Sequence, residues 1–124
     1  MLIIRSRGEN LDSNKRQKIL NLLGLAQRAG RLVSGEDLVV EAIQKGQAKL
    51  VFLAEDAAGN LSKKVTDKSH TYQVEVVTVF STLELSAAVG KARKVLAVTD
   101  AGFTKKMRSI MELNRRTRHC LRRD

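Results

Sequence analysis

The tightest constraint on how this chain can fold is a change of hydrophobic period between Arg31 and Ala57. After Ser34-Gly35, the pairs Leu38/Ala42 and Val39/Ile43 recur at a spacing of four, which gives a helix one apolar face. Gly46 ends that pattern. Leu50-Val51-Phe52-Leu53-Ala54 then runs apolar without alternation, as a strand does when both of its faces are covered. A helix start, a helix, a stop and a buried strand follow one another with short connections. The stretch implies a sheet with helices laid on it.

The same grammar recurs on either side. Ile19, Leu22, Leu23, Ala26 and Ala29 predict a helix from Lys15 to Ala29, with Asn14 and Gln17 as a capping box and Gly30 beyond its end. Arg31-Leu32-Val33 is expected to be a short strand, and the second helix runs from Ser34 or Gly35 to Lys45. Asn60 is the expected cap of a third helix, Leu61 to Ser69, with Leu61, Val65 and Lys68 on one stripe. Val74 to Val79 is rich in β-branched residues and reads as a strand. Ser81-Thr82-Leu83-Glu84 is a full capping-box sequence opening a helix that Gly90 closes. Lys94 to Val98 is a further strand, and Thr99 or Asp100 caps a last helix striped by Phe103, Met107, Ile110 and Met111. The expected fold is α/β: a three-layer α/β/α sandwich around a small mixed sheet of about four strands. Residues 1–12 are expected to be an N-terminal tail, 13–114 a single domain and 115–124 a basic C-terminal tail.

Charge narrows the function. The formal net charge is +10, and from Lys105 onward eight basic residues face only Glu112 and Asp124. Such an excess attracts polyanions, because each phosphate neutralised releases counterions. Aromatic residues make up 3% of the chain, too few for a binder that stacks bases on a row of rings. No apolar run approaches the roughly 18 residues of a membrane span. The lone Cys120 rules out an internal disulfide, and a cytoplasmic protein is expected. His119-Cys120 lacks further partners for a metal, so no metal and no cofactor are expected.

Catalytic machinery is not apparent. His70 and His119 are the two histidines, and neither has a Ser, Cys or carboxylate at a known catalytic spacing. Phosphate-cradling motifs of the GxGxxG and GxxxxGK[ST] kinds are absent. Glu55-Asp56 follows a central strand, where open α/β sheets bind ligands, but the preferred reading is that the two carboxylates simply start a solvated loop.

Ser34-Gly35-Glu36-Asp37, followed by Lys45-Gly46-Gln47-Ala48-Lys49-Leu50-Val51-Phe52-Leu53-Ala54-Glu55-Asp56, resembles the kink-turn-binding ribosomal protein family of archaeal and eukaryotic large subunits. Asn21-Leu22-Leu23-Gly24-Leu25-Ala26-Gln27-Arg28-Ala29-Gly30 and Val98-Thr99-Asp100-Ala101-Gly102-Phe103 resemble its small bacterial YlxQ branch. The resemblance extends from Asn14 to Met111. It implies an α/β/α sandwich that binds RNA without catalysis; the expected partners are structured RNA, ribosomal RNA above all, and the ribosome or translation factors, and a monomer is expected. It assigns RNA contact to the turn and helix start at Gly35, Glu36 and Asp37, and to a second loop at Val79, Phe80 and Ser81. Family members place a polar Asn or Lys, a Glu or Gln and then a Lys where this chain has Asp37, Leu38 and Glu41. Arg28, Arg31, Lys45 and Lys49 are expected to supply cations around the turn, joined by Lys63, Lys64 and the basic tail. The alternative is a protein-interaction adaptor of the translation apparatus, which the acidic Glu36, Asp37 and Glu41 would suit.

Overall fold

The computed structural model describes residues 3–4 and 13–111. The basic tail at 115–124, with His119 and Cys120, lies outside the described residues, as does most of the segment before residue 13. Ten elements follow in the order β1 (Ile3–Ile4), α1 (Ser13–Arg28), β2 (Leu32–Ser34), α2 (Glu36–Gln44), β3 (Leu50–Leu53), α3 (Gly59–Thr71), β4 (Val76–Val77), α4 (Thr82–Val89), β5 (Val95–Val98) and α5 (Ala101–Met111).

The strands form one mixed sheet in the order β1-β4-β3-β5-β2. The four expected strands are β2 to β5, and the two-residue β1 extends the sheet past β4 from within the segment expected to be a tail. β3 lies at the centre, parallel to β4 and antiparallel to β5. Its residues Leu50 to Leu53 are all buried, as the unbroken apolar run requires. Side chains alternate across the sheet with period two. Leu50 and Phe52 therefore meet α1, α4 and α5 through Ile19, Leu23, Leu85 and Met107. Val51 and Leu53 meet α2 and α3 through Val39, Ile43 and Val65 on the other face. The protein is a three-layer α/β/α sandwich.

Local details differ from the sequence reading. Helix α1 begins at Ser13, so Asn14 lies inside it, and the Gln17 side chain donates to Asn21 Oδ1 at 3.0 Å instead of closing a capping box. Helix α3 begins at Gly59 behind an extended Ala58 that makes no side-chain cap, which places Asn60 in the first turn. Ser69, and not Lys68, continues the buried stripe from Val65, because a helical face repeats more closely every fourth residue here than every third. Only Val76 and Val77 of the run from Val74 to Val79 are paired as a strand. Two predicted caps hold. Ser81 Oγ accepts from the Glu84 N–H while Glu84 Oε1 accepts from the Ser81 N–H, at 3.1 and 2.9 Å. Asp100 Oδ2 accepts from the Phe103 N–H at 2.9 Å at the start of α5.

Candidate nucleic-acid interface

Strands β2, β3 and β4 point the same way and β5 points back. One edge of the sheet therefore gathers the exits of β2, β3 and β4 and the entrance of β5, with the end of β1, which is parallel to β4, on the same side. The connections that meet there are Ser34-Gly35 into α2, Ala54-Glu55-Asp56, Thr78 to Ser81 into α4, and Arg93-Lys94 into β5. Backbone hydrogen bonds bind them together: the Gly35 N–H donates to Val95 O at 3.1 Å, Ala54 N–H to Lys94 O at 2.8 Å and Glu55 N–H to Phe80 O at 2.8 Å.

Gly35 sits at φ 96°, ψ 149°, a backbone conformation essentially confined to glycine. It turns the chain sharply from β2 into α2 with no side chain capping the first N–H groups of the helix. Those donors, at Glu36, Asp37 and Leu38, carry the positive end of the helix dipole. Glu36 and Asp37 oppose an incoming phosphate, but Glu36 is held by Lys64 at 2.8 Å, and that hydrogen bond raises the Lys64 pKa above the ordinary lysine value. Arg93 stands beside the turn. Its Nε donates to Ser34 Oγ at 3.0 Å, and its own N–H donates to Ser86 Oγ at 3.0 Å, so α4 and β2 both fix it. The sequence reading places neither Arg93 nor the adjacent exposed Lys94 at the site, because they become neighbours of Gly35 only through the antiparallel pairing of β5 with β2.

The second expected loop is built differently from its sequence assignment. Val79 and Phe80 are 3% and 1% exposed, so their apolar atoms belong to the core and are not offered to a ligand. Phe80 packs against Phe52 with ring centroids 6.0 Å apart, and the Arg16 guanidinium lies over its ring at 4.9 Å from the centroid. Arg16 also donates to both Glu84 oxygens, at 2.6 and 2.7 Å, and to Val79 O at 3.0 Å. Burial alone would raise the Glu84 carboxyl, but the hydrogen bonds from Arg16 and the Ser81 N–H outweigh it and hold its pKa below the usual value. Ser81 remains half-buried at the rim. The exposed apolar group there is Leu83.

Arg28, Arg31, Lys45 and Lys49 are all exposed, but they do not surround the turn. They precede β2 and β3 or end α2, which puts them at the opposite edge of the sheet. There the Lys49 N–H donates to Val98 O, and Arg31 Nε approaches Asp100 at 3.9 Å. Helix α2 alone separates Lys45 from Gly35 by about 15 Å at 1.5 Å per residue. Lys45 pairs with Glu41 at 2.7 Å, and its hydrogen bond lowers the Glu41 pKa. Lys63 lies on α3 with Asp67 at 3.5 Å. Glu55 is exposed, and Asp56 is engaged: its Oδ1 accepts from the Thr82 hydroxyl at 2.7 Å and the Thr82 N–H at 2.9 Å, which lowers its pKa. Among the described residues no three His, Cys, Asp or Glu side chains converge as a metal site, and no helix is long and apolar enough to cross a membrane.

What these features define is a small sandwich protein that directs main-chain donors and flanking cations outward from one sheet edge. The model of the ribosomal protein L7Ae/L30e/S12e/Gadd45 family matches residues 17–108, and the chain belongs to that family. It is 45% identical over 102 residues to an RNA-binding protein YlxQ of Enterococcus faecium, covering 82% of this chain and 99% of that relative. It is 52% identical over 92 residues to RNA-binding protein YlxQ of Bacillus subtilis (strain 168), covering 73% and 92%. These relatives place it with the bacterial YlxQ-like branch. A solved protein of unknown function from Bacillus halodurans C superposes with a TM-score of 0.72 at 45% identity, covering 77% of this chain and 97% of the other. The Giardia lamblia 15.5kD RNA binding protein superposes at 0.70 with 17% identity, covering 82% and 88%, a likeness of fold.

Proposed function

We propose that this is a cytoplasmic, non-catalytic RNA-binding protein, associated with the ribosome, that recognises structured, kink-turn-like RNA through the Gly35 edge. The observation that carries the proposal is the uncapped start of α2 behind a glycine at positive φ, with Arg93 and Lys94 beside it. Backbone N–H groups at a helix start bind phosphate, and the absent Cβ at Gly35 lets a backbone come close. RNA folded around unpaired bases is read by shape and by such contacts. Leu38 is 55% exposed on this helix and has no donor for a guanine edge, so main-chain groups and cations carry the contact.

An electrophoretic titration with a kink-turn hairpin tests this. Affinity is expected to fall steeply as salt rises and to drop in an Arg93→Glu, Lys94→Glu variant. Absence of binding at low salt would remove the reading. The same exposed Leu38 between acidic neighbours favours a second reading, an adaptor that docks on a protein of the translation apparatus. Pull-down with and without nuclease separates the two, since only an association carried by RNA disappears on digestion.

A further inference from the structure

Helices α1 and α4 run side by side on the outer face and leave an open cleft of about 590 Å³ between them. Two of the four large apolar side chains that are exposed among the described residues, Leu25 at 49% and Leu83 at 79%, wall this cleft. Its floor is low because Gly24, Ala87 and Ala88 carry little or no side chain. A Cβ on Gly24 would stand 3.0 Å from Ala88 O, so the two helices touch there. On the α1 side Gln17 and Asn21 are exposed and bonded to each other, which leaves one amide acceptor on Gln17 and amide donors on Asn21 facing outward. Helix α1 contains Lys15, Arg16, Lys18 and Arg28 and no carboxylate. Among the described residues the one carboxylate lining the cleft, Glu84, is matched by Arg16. Arg28 forms no ion pair or hydrogen bond with the described residues.

We infer that this cleft is a second RNA site, one that takes an unpaired nucleobase between Leu25 and Leu83. The inference rests on the reading of the protein as RNA-binding and adds a surface apart from the Gly35 edge. Charge decides the occupant: among the described residues Arg28 is the cation of the lining, its acid Glu84 is matched by Arg16, and the exposed Lys18 stands on the same helix, a balance that together with the two amides suits a phosphate-bearing ligand. A docked protein helix would want a continuous apolar stripe, and here amides interrupt it. Aliphatic walls cover the two faces of a planar base, and a neighbouring donor and acceptor complete the hydrogen bonds of its edge, a pattern every base offers. Lys18 and Arg28 lie about 15 Å apart along α1, a span of two to three nucleotides of single strand. The mouth at Leu83 opens beside Ser81-Thr82 at the candidate edge, and the far end at Arg28 leads toward Arg31 and Lys49. A strand leaving a folded RNA at the first edge would lie along the cleft toward the second group of cations.

The test is a titration of the full, ¹⁵N-labelled chain with hexa-adenylate RNA, followed by amide resonances. Saturable shifts are expected at Gln17, Asn21, Leu25 and Ala87. Leu83→Glu, an exposed substitution in the first turn of α4, should weaken that binding about tenfold, as loss of one apolar leucine contact does. Arg28→Glu should weaken it about fivefold. Unmoved core amides of Val39 and Ile43 would show that both variants stay folded. Shifts confined to the Gly35 edge overturn this inference and leave the proposed function standing, and no shifts at all with hexa-adenylate overturn it too, while the hairpin titration decides the proposed function separately. Cleft resonances that move with protein concentration in the absence of RNA would instead make the groove a contact between copies of the chain, and would also overturn it.

Discussion

Arg16 turns inward from a helix whose cations Lys18 and Arg28 face solvent, and fastens three things at once: the Glu84 carboxylate, the Val79 carbonyl and the face of Phe80. Replacing it with Met keeps the stem but leaves Glu84 half-buried without its cation. Arg16→Met should cost about 1.5–3 kcal/mol in urea unfolding, the range for hydrogen bonds to charged groups. Glu84→Gln keeps a capping-box side chain and loses the charge, so about 1 kcal/mol is expected. The folded Glu84 carboxyl holds its proton less tightly than the unfolded one. Its stabilisation is therefore fully present above the unfolded value, about 4.3, and is lost as pH falls through the lower folded value. Melting curves of wild type and Glu84→Gln should converge below that window and stay apart at neutral pH. Asp56, also lowered, gives wild type a further loss in acid of the same sign. At Gly35 the effect is one of backbone alone. A Cβ there meets nothing within 4 Å, yet φ 96° is strained for any L side chain. Gly35→Ala should cost about 1–3 kcal/mol without disturbing the core, measurable by denaturant titration with unchanged slope.

Between elements, the most telling attachment is that of α5 to β4. Glu75 flanks β4 and is 7% exposed, and it is ion-paired with Arg108 of α5, whose side chain still reaches solvent. Removing the cation leaves a buried carboxylate short of compensation, so Arg108→Met is expected to destabilise by about 2–4 kcal/mol. Hydrogen exchange should show α5 loosening before β3 does. Such pairings also mark where the sequence stops being readable. The apolar run of β3, the stripe of α2 and the caps at Ser81 and Asp100 are legible because each is written within a few residues and obeys a local period. Arg16, Arg93 and Arg108 have partners 33 to 68 residues away in sequence (Glu75 to Arg108, Arg16 to Glu84), and no period announces them. Val79 and Phe80 were assigned to a surface loop by resemblance, whereas the sheet face they occupy is covered by α1, which no local pattern reveals. The basic residues Arg28, Arg31, Lys45 and Lys49 look close to Gly35 along the chain. The strand direction of β2 and the length of α2 carry them to the other edge.

Across the whole molecule, that division of charge is the feature with the largest consequence for RNA. A net charge of +10 spread evenly would make every cation interchangeable for a polyanion. The sandwich does not spread it evenly. Arg93 and Lys94 flank the donors of α2, while Arg31 and Lys49 lie across the width of the sheet, near Asp100 and Thr99. A compact hairpin seated on the Gly35 edge would neutralise the first pair and leave the second in solvent. In a plot of log affinity against log salt, each phosphate contact adds about 0.7 to 0.9 to the steepness. Arg93→Gln with Lys94→Gln should therefore flatten the hairpin slope by about 1.4 to 1.8. Arg31→Gln with Lys49→Gln removes the same number of charges and should leave that slope unchanged. Equal flattening by the two double variants would mean that the ligand feels only net charge. The edge around Gly35 would then have no privileged role. Unequal flattening would tie affinity to the place where the strand order brings a glycine turn and two cations together.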